Sequence, residues 1–375
     1  MRYTFLWLLL LSMGTKAQQS FIQIGDSLYQ LGNYRKAISS YEKVNSAKAA
    51  FKIARSYNAI GNHDKSIDAY QQAIEKDSNL VIAKYELAKL FVKKRRNQEA
   101  RPIFENLMDN DSLNPNYSYY LGLLTKEDSL SIIHFKRSYQ LDATHLKSIY
   151  RISRHFLVNE DRDSLFHYSN IGLKEDPNNV DLINLQSQYL FNRGWHEQVQ
   201  PMLEKLMTLG QRSETIRKRL AITYFKNDLL EKSLELFLEL IDDNPKEAGY
   251  HTYVGTIYRK MQKYEEAIPY FETALNIKNP SIKSDYLTLA LIHIDLGDEV
   301  KATQFMDKAF REKPYNMFSD FSSVRIIENR FKDPSVKLNF FLKFKKRYPE
   351  APERIGEWVK SKITDLKGQI HMGKG

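Results

Sequence analysis

The chain has 375 residues, with 56 Lys and Arg, 46 Asp and Glu, and no Cys. Apolar residues at 42% and charged residues at 27% exclude wholesale disorder, and the scarcity of Gly (15) and Pro (11) excludes a collagen-like chain and argues against a turn-rich all-β fold. Without Cys there are no disulfides, thiolate zinc sites, iron–sulfur clusters, cysteine nucleophiles or cysteine-linked lipids.

Residues 1–17 read as a cleavable secretory signal. Arg2 supplies a positive start, an apolar run follows from Phe5 to Leu11, and Thr15-Lys16-Ala17 ends on a small residue. That run is too short to cross a bilayer, which takes roughly 20 residues; an uncleaved anchor is the alternative. The expected address is the periplasm or the cell exterior, and without a lipobox Cys the chain is not expected to be a lipoprotein. The Ala17-Gln18-Gln19 junction resembles leaders of Bacteroidetes-type bacteria.

From residue 18 onward one spacing dominates. Tyr41, Tyr70, Phe104, Phe135, Ser169, Leu203, Phe237, Phe271 and Met306 step by 29, 34, 31, 34, 34, 34, 34 and 35 residues. A residue four before each is small in most cases: Ala37, Ser66, Ala100, Ser131, Ser233, Ala267 and Ala302, with Leu165 and Val199 as exceptions. An upstream series, Gly25, Ala54, Ala88, Gly122, Ser153, Ser187, Ala221, Gly255 and Ala290, precedes this one by 12 residues, except that Gly122 lies 9 before Ser131. Two helices joined by a tight turn explain both series. The small residues permit close approach, and the large residue fills the space beside them. Gly32, Gly61, Gly194 and Gly297 mark the turns, and Pro177, Pro245 and Pro314 end second helices.

These residues closely resemble the tetratricopeptide repeat (TPR) family over about residues 18–314. The resemblance implies an all-α, right-handed superhelix (an α-solenoid) of about nine helix-turn-helix repeats. The first repeat is five residues short before Ala54, the fourth has lost three between Gly122 and Ser131, and residues 112–177 are expected to be irregular. Residues 315–375 lack the repeat pattern and are read as a basic helical cap. One helix carries Val336, Phe340, Phe344 and Tyr348, widened by Leu338, Phe341 and Leu342; a second spans 353–366.

No catalytic or metal pattern emerges among the 9 His, and the carboxylates are scattered, so neither an enzyme nor a cofactor is expected. Asp-Ser-Leu occurs four times and resembles an O-glycosylation triplet of exported Bacteroidetes-type proteins. Ser112 and Ser129 are the candidates there, both expected in loops.

In the TPR family the first helices line a concave groove. The resemblance places Arg55, Asn58, Tyr85, Lys89, Lys93, Asn184, Gln188, Lys218 and Arg259 there. The family's carboxylate clamp is missing, because the first repeat offers Ile22 and Asp26 instead. Arg55, Lys89 and Lys93 suit an acidic peptide. A second candidate surface is the basic run Lys343, Lys345, Lys346 and Arg347, since residues 311–375 hold 15 Lys and Arg against 8 Asp and Glu. The expected role is an envelope scaffold or assembly factor that binds protein or peptide segments. The alternatives are docking on anionic lipid or glycan through the C-terminal helices, or ligand sensing for a signalling system. Nucleic acid is not an expected partner, and oligomeric state is left open.

Overall fold

A computed structural model describes residues 19–277, 283–313 and 315–372. The expected signal segment and Pro314 lie outside them. Twenty-one helices and no strand occur among the described residues. They run as pairs: α1 (19–30) with α2 (Tyr34–Tyr41), α3 (Ala47–Ala59) with α4 (His63–Lys76), α5 (Val81–Lys93) with α6 (Asn97–Asn110), and α7 (Pro115–Leu124) with α8 (Asp128–Leu141). Then come α9 (Leu146–Val158) with α10 (Arg162–Glu175), α11 (Val180–Asn192) with α12 (His196–Thr208), α13 (Glu214–Lys226) with α14 (Leu230–Asp243), α15 (Ala248–Lys260) with α16 (Tyr264–Ile277), and α17 (Lys283–Asp295) with α18 (Glu299–Arg311). The chain ends in α19 (Met317–Arg330), α20 (Pro334–Arg347) and α21 (Glu353–Met372). This is an α-solenoid architecture. It divides into two compact units, Met1–Tyr189 and Leu190–Gly375.

The spacing has a direct packing cause. Tyr41, Tyr70, Phe104, Phe237 and Phe271 are essentially fully buried, and so are Ala54, Ala88, Ala221 and Ala290. A Cβ added at Gly255 would lie 2.8 Å from the Phe271 ring, so the large residue of the second helix rests on the small residue of the first. In two of these repeats a Ser 12 positions on donates to the carbonyl of the small residue: Ser66 to Ala54 and Ser233 to Ala221, each at 2.8 Å. In the fifth repeat Ser169 replaces the aromatic. Gln186, 2% exposed, reaches in and donates to Ser169 Oγ (2.7 Å) and Asn170 Oδ1 (2.8 Å), so polar bonds replace ring packing.

Side-chain caps fix helix starts. Ser46, Asn62, Asn114, Asp161, Ser213 and Asp298 each accept a backbone N–H of the helix that follows, worth about 1 kcal/mol apiece. In eight of the pairs the internal turn uses one left-handed residue. Gly32, Gly61, Gly194 and Gly297 hold φ of 74–79° there, and Arg95, Glu160, Asp228 and Gln262 hold 57–60° at the matching positions of other repeats. The fourth repeat has none: Thr125 and Glu127 are extended, with ψ of 123° and 120°. Its α7 has 10 residues where α3, α5 and α9 have 13. The short first repeat appears as an 8-residue α2.

The region after 314 holds more regular structure than its spacing suggested. α19 and α20 form a further pair, and Phe340 stands 34 residues after Met306. Their core is continuous with α17 and α18 through Ala290, Met306, Phe310, Val324, Ile327, Phe340, Phe341 and Phe344. α21 packs on it with Val359, Ile363 and Leu366 buried, and turns Glu353, Glu357, Lys360, Thr364 and Lys367 outward. Leu342, expected in the apolar stripe, is 44% exposed.

His145 caps α9: its Nδ1 accepts the Ser148 backbone N–H (3.3 Å). Burial pulls its pKa below the ordinary 6.5; Asp142 opposes this and Lys147 assists it. His134, His196 and His293 are lowered for the same first reason, burial. Groups lowered on folding contribute stability that is present above pH 6.5 and lost as pH falls through the lower folded values. Thermal midpoints are therefore expected to decline on acidification below that point. His145→Asn keeps a capping acceptor that does not titrate, so its decline is expected to be shallower. Identical slopes for both chains would contradict this role for His145.

Candidate functional site

The first helices of unit 1 build a pair of adjoining clefts. One, of about 480 Å³, is lined by Tyr29, Phe51, Arg55, Asn58, Ala59, Tyr70, Ile82 and Glu86. The other, of about 280 Å³, is lined by Asp26, Tyr29, Gln30, Tyr41, Lys52 and Arg55. Tyr29 and Arg55 belong to both. Phe51, Arg55 and Asn58 share one face of α3 because they are spaced by four and three.

Charge is unevenly satisfied across the clefts. Asp26 accepts from Lys52 Nζ (2.6 Å) and from Tyr41 Oη (2.8 Å). Burial pushes the Asp26 carboxyl up, but these bonds outweigh it and hold its pKa below the usual 3.8. Burial and the same Asp26 bond push the Tyr41 phenol up, so it stays a donor at neutral pH. Arg55 is exposed, and its guanidinium carbon lies 5.2 Å from the Tyr29 ring centre and 5.9 Å from that of Phe51. It forms no ion pair among the described residues. Two rings thus brace a cation that lines both clefts. Ile82, 48% exposed, adds an apolar wall.

The other expected groove residues divide among several places. Lys89 is tied to Glu86 (2.9 Å) and sits over the Tyr85 ring at 4.9 Å. Tyr85 packs on Phe104, Tyr117 and Tyr120 with ring centres 5.8–6.1 Å away, and burial raises its pKa, so it is a wall of the fold. Lys93 is exposed at the end of α5. Asn184 and Gln188 are half-buried on α11 and line none of these clefts. In unit 2, Lys218 lines a cleft of about 380 Å³ with Phe191, Glu214, Thr215, Arg219 and Ile222, and lies 5.5 Å from the Tyr250 ring centre. Arg259 is half-buried on α15, away from that cleft. The nine residues therefore do not form one site, and only Arg55 and Asn58 meet in a single cleft. Tyr29, Lys52 and Ile82 were not read from the sequence. Ile82 was within reach, since it lies three residues before Tyr85 on the same helix face.

The basic run is also split. Lys343 pairs with Asp307, and Arg347 donates to buried Asp320 (2.8 Å) and stacks over Tyr315 at 4.0 Å. Lys345 and Lys346 alone of the four stay fully exposed. Ser112 lies in a turn as expected, but Ser129 lies in the first turn of α8, not in a loop. No described helix is long and apolar enough to cross a membrane.

Family models for the tetratricopeptide repeat match residues 22–80 and 253–280, and the first match spans most of the paired clefts. The TPR repeat-containing protein YpiA of Bacillus subtilis (strain 168) is 20% identical over 229 residues, 60% of this chain and 54% of its own length. The chain thus spans about half the length of that curated relative. Among solved structures, YrrB, described as a TPR protein with an unusual peptide-binding site, aligns at 16% identity and TM-score 0.43, covering 47% of this chain and 92% of its own. A MamA protein aligns at 19% identity and TM-score 0.41, covering 50% of this chain and 96% of its own. Residues 22–80 and 253–280 thus each match a tetratricopeptide repeat model.

Proposed function

We propose that this chain is a non-enzymatic scaffold of the cell envelope that holds acidic peptide or protein segments in the clefts of its first three helix pairs. The observation that carries this is Arg55, an exposed cation braced by Tyr29 and Phe51 over a 480 Å³ cleft whose lining carboxylate, Glu86, is already paired with Lys89. A partner carboxylate completes the charge, Asn58 supplies an orienting amide, and Phe51 and Ile82 give apolar contact. An extended segment bound this way gains affinity from many modest contacts. The match of residues 22–80 to a TPR model supports this use of the clefts. The signal-like leader supports export to the periplasm or beyond. Docking on an anionic envelope surface is disfavoured, because two of the four basic residues meant to drive it are occupied by Asp307 and Asp320.

The test is a crosslinked pull-down of the full chain from its own envelope, read by mass spectrometry. Arg55→Glu is expected to reduce capture of the dominant partner by about tenfold or more, as loss of a charge-assisted contact does. Lys89→Glu is expected to matter less, since Lys89 is already paired. Capture that ignores Arg55→Glu would overturn this assignment.

A further inference from the structure

In unit 1 the shortened fourth repeat has a cleft beside its internal turn. Because α7 stops at Leu124 and its left-handed turn residue is missing, Thr125 and Glu127 are extended. Arg101 clamps this end by donating from Nη2 to the Leu124 carbonyl (2.7 Å), so the short form is bonded in place. A cleft of about 280 Å³ opens on the α9 side of the turn. Its apolar lining includes Leu123, Ile132 and Phe135, and Val158, 70% exposed, stands at its edge.

The same cleft gathers cations. Lys126 and Arg154 line it, are exposed, and make no ion pair among the described residues. Arg151 also lines it, and its Nε is buried without a hydrogen-bond partner. Asp128 is the carboxylate of the lining, and it is occupied: His155 donates to it from Nδ1 (2.6 Å), while Asn159 donates to His155 Nε2 (3.3 Å). Residues 124–158 hold 6 Lys and Arg against 3 Asp and Glu, so the neighbourhood shares the imbalance. A buried donor with nothing to bond costs stability, and an incoming acceptor recovers that cost.

We infer that the notch at the fourth repeat is a second docking seat, for an acidic peptide segment that carries one large apolar side chain. Lys126, Arg151 and Arg154 receive the segment's carboxylates. Its apolar side chain enters the cleft against Leu123, Phe135 and Val158. The assignment rests on the peptide-binding reading above but uses none of the residues of the first clefts, so the two can fail separately.

The probe is a fluorescein-labelled Glu-Glu-Phe-Glu-Glu peptide, titrated with the full chain and read by anisotropy. Gln-Gln-Phe-Gln-Gln and Glu-Glu-Gly-Glu-Glu are the controls, each expected to bind about tenfold more weakly. The double change Lys126→Glu with Arg154→Glu is expected to weaken the probe by more than about tenfold. Both residues are exposed, so a wild-type thermal melt is expected. Val158→Asp, also at an exposed position, is expected to weaken it independently. Arg55→Glu is expected to leave a binding component of unchanged affinity. Loss of all binding with Arg55→Glu would overturn the notch and leave the first clefts standing. Undiminished binding by the double variant, binding of either control as tight as that of the probe, or no binding of the probe would overturn it outright.

Discussion

Asp320→Ala is expected to destabilise the C-terminal end by about 3–5 kcal/mol, the usual result of removing one partner from a buried ion pair. Asp320 is fully buried on α19 and is the shared acceptor for three donors: Lys283 of α17, Arg347 Nη1 (2.8 Å) and Tyr348 Oη (2.7 Å). The cations are themselves largely withdrawn from water, with side chains 13% and 21% exposed. Their charges would lose compensation together, and the link from α17 to the end of α20 would be cut. Trp358 packs against Phe321 and Phe341 and so reports on this core. Denaturant unfolding followed by its fluorescence is expected to shift to lower denaturant. Hydrogen exchange is expected to rise first in α19–α21. A loss below about 1 kcal/mol would mean that the cluster behaves as a surface pair.

Phe104→Ala is the second large effect, expected at about 3–5 kcal/mol from lost burial and the cavity left behind. Phe104 is fully buried, stacks on Tyr120 at 4.7 Å, and meets Tyr85 edge-on at 6.1 Å. The ring therefore supports α5 and α7 at once. Because each pair in a repeat array leans on its neighbours, the damage is expected to stay local. Protection from hydrogen exchange should fall in α5–α7 and persist in α13–α16. A uniform loss across both units would contradict nearest-neighbour packing here. Burial holds the Tyr85 and Tyr120 phenols above their ordinary pKa of 10, so a spectrophotometric titration should show phenolate appearing at lower pH in the variant.

Most of the helix pairing was legible because it depends on contacts between residues 12 and 16 apart. Ala54 with Ser66 and Gly255 with Phe271 leave that mark in any single sequence. The turns were half legible. Gly32 and Gly61 announce a left-handed residue, whereas Arg95, Glu160, Asp228 and Gln262 occupy the same conformation without announcing it. α19 escaped notice because Val324 and Val336 stand where Ala290 and Ala302 stand one repeat earlier, which hides the small-residue signature. That Arg55 and Asn58 share one face of α3 was legible, since that needs only helical periodicity. The occupied state of Arg347 was out of reach, because its partner Asp320 lies 27 residues away on another helix. The Lys89–Glu86 pair, three residues apart, was within reach of the same periodicity.

The most direct measurement puts a photocrosslinking amino acid at position 58, inside the larger cleft, and another at position 72, on the exposed face of α4. If the first clefts seat the partner, position 58 captures one dominant species, position 72 does not, and adding Arg55→Glu abolishes the capture. Equal labelling from both positions, or capture at 58 that survives Arg55→Glu, would contradict groove binding and remove the basis for the proposed scaffold role.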